Sequence, residues 1–252
     1  MKLKDIILEG KYDKLTGQIN KDIFKAMKNA IKGSGTQEKP KKYKGYEVRK
    51  DPMPMSTLQN LFYDEVRTIS VGEYSDNVSG INVDVELKVA VTEDGVDPGK
   101  FFIDGGVDDD SDSPSIEVHI AIHPNDSGGS IFSKIQPTLR DLVRHEIEHL
   151  THGSSDNAKA SKVMRGDKAM RDKIGDNPAI YYKYFLLKKE VDANIHGLYS
   201  KAKTMKKPYQ KVVDSYLDSL VDDGIITSKH RKLIYKTWKK RIPSIGGLPN
   251  LK

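Results

Sequence analysis

The chain has 252 residues, of which 37% are apolar and 31% charged, with a net charge of +6 and a mean hydropathy of −0.60. That length supports one good core with appendages, and no apolar run approaches the roughly 20 residues that span a bilayer, which argues against a membrane protein. There is no cysteine, so disulfides and thiolate metal sites are excluded and any metal must take His, Asp or Glu.

The start, MKLKDIILEG, is too broken by charge for a secretory signal. Residues 2 to 32 read as helical, with Leu15, Ile19, Ile23, Met27 and Ala30 in an apolar stripe among lysines. GSGTQEKPKKYKG is a linker, and Ser56 or Thr57 can cap a helix running to about Ile69. A β region follows. INVDVELKVAV alternates strictly, KFFIDGG is a short strand entering a turn, and SIEVHIAIHP alternates again with Ile116, Val118, Ile120 and Ile122 inward. Glu117, His119, Ala121 and His123 share its other face. The acidic loop DGGVDDDSD has the oxygens for calcium but not the spacing of an EF-hand, and a solvated loop is the plainer reading.

The chain then turns helical. SKIQPTLRDLVRHEIEHLTHG carries Leu139, Leu142, Val143, Ile147 and Leu150 at helical spacing, with Gly153 a natural stop. A second apolar helix is expected from near Pro178 through KKEVDANIHGLYSKAK, then helices over about 208 to 222 and 228 to 241 around the turn DDG. There is no internal repeat and no Rossmann or P-loop glycine pattern.

Four parts follow from this: a basic helical segment over 1–32, a linker over 33–55, a central α+β domain over 56–205, and a basic helical extension over 206–252 packed on it. Charge is uneven. The first fifty residues are lysine-rich, and from Lys229 onward every charged residue is basic. Basic ends suit non-specific DNA contact, against the alternative of merely solvated ends.

His145, Glu146 and His149 spell H-E-x-x-H. On a helix, i and i+4 stack one above the other, so both imidazoles can reach one ion. Glu146 is rotated about 100° from His145, close to the ion but not aimed at it, which suits a general base acting on activated water. His152 shares the face but lies about 10 Å further along the axis, too far for the same ion. The remaining ligand must come from another element. Glu190, Ala193, Asn194 and Gly197 lie at i, i+3, i+4 and i+7, one face whose small residues permit close approach. Glu190 thus completes a His₂Glu site for zinc; Asp192, His196, His152 and a histidine of the strand are the alternatives.

RHEIEH followed about forty residues later by EVDAN resembles the gluzincin-type zincin metallopeptidases, in particular ImmA/IrrE-like and related phage and bacterial members. The likeness covers the two helices. It lacks the helix-turn-helix of repressor-linked members. It implies an α+β fold, a small twisted sheet with an edge strand beside the active-site helix and a mostly helical C-terminal part. It also implies zinc-dependent peptide hydrolysis, with peptide bound by β-addition at the edge strand, for which 115–123 is the natural candidate. Zincins commonly add a Tyr, His or Arg at the oxyanion; Tyr199, His196 and His230 are available here, and His119 lies on the strand's polar face. The start MKLKDIILEG is similar to the targeting peptides of internal head proteins of large tailed phages, cleaved after Leu or Ile, any residue, then Glu. Ile7-Leu8-Glu9 matches. That likeness implies loss of residues 1–9 and a place in the virion interior; without it the cytoplasm is expected. The competing reading is an inert zincin-type structural, virion or DNA-associated protein.

Overall fold

The computed structural model describes residues 12–34, 67–76, 81–92, 95–108, 114–126, 129–153, 169–175, 177, 179–245 and 248–251. Residues 1–9, most of the 33–55 linker and 109–113 of the acidic loop lie outside the described residues. The fold is α+β. Helix α1 (Asp13–Ser34) precedes four strands, β1 (Arg67–Asp76), β2 (Ile81–Val91), β3 (Phe101–Asp108) and β4 (Ser115–Ile122). Helix α2 (Gly129–Gly153) follows, then a 3₁₀ segment (Tyr181–Leu186) and helices α3 (Lys188–Met205), α4 (Tyr209–Asp222) and α5 (Ser228–Ile245).

The strands form one mixed sheet in the order β1-β2-β4-β3. β1 and β2 are antiparallel, β2 and β4 parallel, β4 and β3 antiparallel. A parallel pair cannot be closed by a tight turn. The chain therefore leaves β2, forms β3 at the edge, and returns as β4 between the two. This corrects one expectation: 115–122 is not an edge strand, because its backbone pairs with β2 on one side and β3 on the other. Among the described strands, the edge nearest α2 is β3.

One sheet face is covered by α1 and α2. α1 lies over β1 and β2, and α2 over β3. The alternation of β2 and β4 puts Val85, Leu87, Ile116, Val118, Ile120 and Ile122 into this core, where they meet Ile19, Ile23 and Met27 of α1 and Ile135, Leu139, Val143 and Ile147 of α2. Each such side chain contributes about 1.5–3 kcal/mol on burial. Helix α1 is thus part of the sheet core rather than a separate segment. Arg67 donates to the Ala30 carbonyl (3.1 Å) and Tyr74 to Asp22 (3.1 Å), fastening α1 to β1.

Two helix expectations also change. The helix expected to reach Ile69 does not: Arg67, Thr68 and Ile69 belong to β1, paired with Val89, Lys88 and Leu87. Cross-strand pairing of β-branched residues overrides the local signal there. The helix expected from Pro178 is interrupted at Leu187, which is extended (φ −62°, ψ 138°). The preceding 3₁₀ turn is held by tertiary bonds: Trp238 of α5 donates to the Phe185 carbonyl (3.0 Å), and Phe185 packs edge-on to Tyr181 and Tyr184.

A second core lies between α3, α4, α5 and the 3₁₀ segment, built on Ile195, Leu198, Val213, Leu217, Ile234 and Trp238. No helix among the described residues is long and apolar enough to cross a membrane.

Candidate metal centre

The site lies where α2 meets α3. Gly197 lets the two helices touch: a Cβ there would stand 2.9 Å from the Asp141 carbonyl oxygen and run into its carboxylate, with His145 Cβ at 3.5 Å. Ala193, one turn earlier, is fully buried. Gly105 of β3 does the same on the other side of α2, where a Cβ would meet the Glu117 carbonyl oxygen at 2.5 Å and Leu142 at 3.0 Å. Small residues thus seat α2 tightly between the sheet edge and α3.

This packing brings His145, His149 and Glu190 together, and their ligand atoms all lie within 4.8 Å of one another. The His145 and His149 Nε2 atoms are 3.0 Å apart. His145 Nε2 is 3.4 Å from Glu190 Oε2, and His149 Nε2 is 3.4 Å from Glu190 Oε1. For comparison, a tetrahedral ion with bonds of about 2.0–2.1 Å has ligand atoms about 3.3–3.4 Å apart. The group could therefore hold a metal ion with little rearrangement. Glu190 Oε2 is buried and accepts no well-formed hydrogen bond, so one oxygen of this carboxylate is left for a cation.

The electrostatics agree with such a use. Burial alone would raise the Glu190 carboxyl, but His145, His149 and Arg171 outweigh it and hold it down to about 2. Burial also disfavours charge on both imidazoles. For His145 the opposing pull of Glu190, Glu146 and Asp141 wins and its pKa is raised. For His149 burial and the His145 charge win, and it falls to about 3. One anion, one neutral imidazole and one imidazole that favours its proton thus share this position, so a metal ion bound there would take the place of the His145 proton. Glu146 is different. Burial, helped by the Glu190 and Asp104 charges against His145 and Arg171, pushes its carboxyl up to about 7. A carboxylate that holds a proton near neutrality can both take one and give it back.

Three residues at the site have no signal in the H-E-x-x-H pattern. Arg171, from the helical residues 169–174, donates to Glu190 Oε1 and lies over the Tyr184 ring (5.7 Å). Tyr184 stacks on Tyr181 with centroids 5.8 Å apart. Burial and the Glu190 charge, with a hydrogen bond to it, hold the Tyr184 hydroxyl far above the usual phenol range. Tyr181 is raised by burial and by the charges of Asp104 and Glu190. Both tyrosines sit in a 3₁₀ turn, whose aromatic cluster reads in sequence as core.

The other sequence candidates are placed elsewhere. His196 pairs with Glu148 (3.7 Å), which also takes a 2.6 Å bond from Arg144. Tyr199 lies half a helical turn out of phase with Glu190 and packs on Tyr209. His230 stacks on Tyr182 at 3.9 Å, and His119 contacts Glu117 (3.2 Å) on β4. Asp192 is held by Arg241 through two 2.6 Å bonds. His123 accepts from the Asn125 amide (3.2 Å). The His152 side chain lies outside the described residues.

Comparison with protein-family models, with curated proteins and with solved structures found no match to this chain.

Proposed function

We propose that the protein is a zinc-dependent peptidase of the gluzincin type, with His145, His149 and Glu190 as ligands and Glu146 as general base. The observation that carries the reading is the triangle of two imidazole nitrogens and one carboxylate, at 3.0, 3.4 and 3.4 Å, beside a carboxyl whose pKa is raised to about 7. Two histidines and a carboxylate are a usual catalytic zinc set, which keeps a fourth position open. Bound there, zinc supplies a Lewis acid for the scissile carbonyl and lowers the pKa of water towards about 7. Glu146 accepts the proton from the attacking water at a carboxylate oxygen and passes it to the leaving amine nitrogen. Arg171, which has further N–H groups beyond the one given to Glu190, and Tyr181 offer donors for the oxygen on which charge develops, while Tyr184 is bonded to Glu190.

The outer edge of β3, beside α2, is the place for an extended peptide to add as a strand, in place of 115–123, whose own edges are taken. The test is hydrolysis of a mixed peptide library by zinc-loaded protein, with and without chelator. Cleavage that stops with chelator and returns with zinc supports the reading. Cleavage indifferent to chelator, or no cleavage by fully loaded protein, removes it.

A further inference from the structure

Helix α5 (Ser228–Ile245) contains no acidic residue. Its two arginines are engaged inward. Arg231 bonds Asp218 (2.6 Å) and Asp214 (3.1 Å) on α4, and Arg241 grips Asp192 on α3. Its apolar side, Ile234, Trp238 and Ile242, is buried in the helical core. What faces outward is Lys229, Lys232, Lys236, Lys239 and Lys240, all exposed. None of the five has an acidic partner among the described residues. At about 100° per residue, these five lysines fall within an arc of about 100° and run about 16 Å along the axis.

That stripe is unfavourable to the helix that bears it. Lys229 and Lys232, Lys232 and Lys236, and Lys236 with Lys239 and Lys240 are like charges three or four residues apart, where an alternating surface would place glutamates. An ordinary solvated helix mixes its signs. Here each basic side chain with a partner turns inward, and each one without a partner turns outward along a single line. A partner bearing closely spaced negative charges would relieve the repulsion. A membrane surface fits less well, because an interfacial helix inserts its apolar side and this one is already buried. A duplex backbone, with about one negative charge per 1.7 Å of axis, fits a linear cationic ridge beside which a single leucine, Leu233, is exposed, too little apolar surface for insertion into a bilayer.

We propose that the outer face of α5 is a binding ridge for the phosphate backbone of double-stranded nucleic acid, independent of base sequence and separate from the metal centre. Lysine ammonium groups are point charges without the planar fork of arginine, which suits them to phosphate contacts that carry no sequence information.

The full-length, zinc-loaded protein is titrated into a fluorescein-labelled mixed-sequence DNA duplex over a range of salt concentrations. The wild type is compared with the triple variant Lys232→Gln, Lys236→Gln, Lys240→Gln. A control triple, Lys14→Gln, Lys21→Gln, Lys25→Gln, removes the same charge from exposed positions on α1. Circular dichroism melts check that all three fold alike. The ridge predicts that the α5 triple loses at least tenfold in affinity at low salt. Its slope of log K against log salt should fall by about 2.7, for three lost phosphate contacts. The control triple should keep nearly all of the wild-type affinity. No duplex binding by the wild type, or equal losses in both triples, would overturn the proposal. So would tighter, α5-dependent binding to phosphatidylserine vesicles than to duplex.

Discussion

The sheet core and the helical core are built alike inside and differ where they meet. Each is organised around its own apolar cluster: the first from strands β1–β4 with α1 and α2, the second from α3, α4 and α5. Between α2 and α3 the interface is ionic. Lys201 meets Asp141 (3.3 Å), Arg140 donates to Ser200 (3.2 Å), and Arg144 and His196 converge on Glu148. Burying such groups costs stability unless each finds a partner, and here the helices supply those partners to one another. The group that could hold a metal ion lies at the same interface: the sheet side brings His145 and His149, with Glu146 beside them, and the helical side brings Glu190.

Four experiments strain that comparison, starting with the chemistry. Glu146→Gln keeps the shape and removes the base, so peptide hydrolysis should fall about 10²–10⁴-fold. Metal content measured on the same sample should be unchanged. Unchanged rates would separate Glu146 from the reaction.

Cutting into either core asks whether the two stand together. Trp238 is fully buried in the helical core and Ile120 in the sheet core. Trp238→Ala should cost about 3–5 kcal/mol and Ile120→Ala about 2–5 kcal/mol. Denaturant melts followed by far- and near-ultraviolet dichroism should show one lowered transition for each variant. Trp238→Ala should also weaken metal binding, because Glu190 is carried on α3. Two separate transitions would mean that the interface does not couple the cores.

The third test uses pH. Glu146 has an ordinary value of 4.5 and is raised to about 7 in the fold. Its favourable contribution is therefore complete below 4.5 and is lost as pH rises through about 7. In chelator, the wild type should lose stability relative to Glu146→Gln across that window, by up to about 3 kcal/mol. Melts of both proteins on either side of the window check this; a constant difference would deny that the carboxyl is buried uncharged.

The smallest effect belongs to the helix contact. Gly197→Ala should cost about 1–3 kcal/mol by overpacking and weaken metal binding several-fold. Gly17→Ala, in the open on α1, has nothing within 4 Å of the new Cβ. It should be neutral or stabilising by up to about 1 kcal/mol. If the two behave alike, the α2–α3 contact does not depend on the absence of a side chain at Gly197.

What the sequence made legible follows the range of the forces involved. H-E-x-x-H and the Glu190–Gly197 face are written by helical periodicity, a local rule, and the structure brings those faces together. Alternation marks strand β4, but its interior position depends on where β3 comes back, which no periodicity records. β3 itself is partly buried along most of its length, with no alternation to betray its edge role. Arg171 sits in a polar stretch, and Tyr181 and Tyr184 in a turn held by Trp238, so their convergence on Glu190 is a tertiary fact. Periodicity marks α1 as a helix, yet its membership of the sheet core depends on the face it covers.

The most direct test of the central claim is metal content after equilibrium dialysis against limiting zinc, for wild type, Glu146→Gln and Glu190→Ala, each confirmed folded by dichroism. The account predicts one ion per chain for the first two and a loss of at least tenfold in affinity for Glu190→Ala. Zinc retained in full by Glu190→Ala, or absent from the wild type, would contradict it.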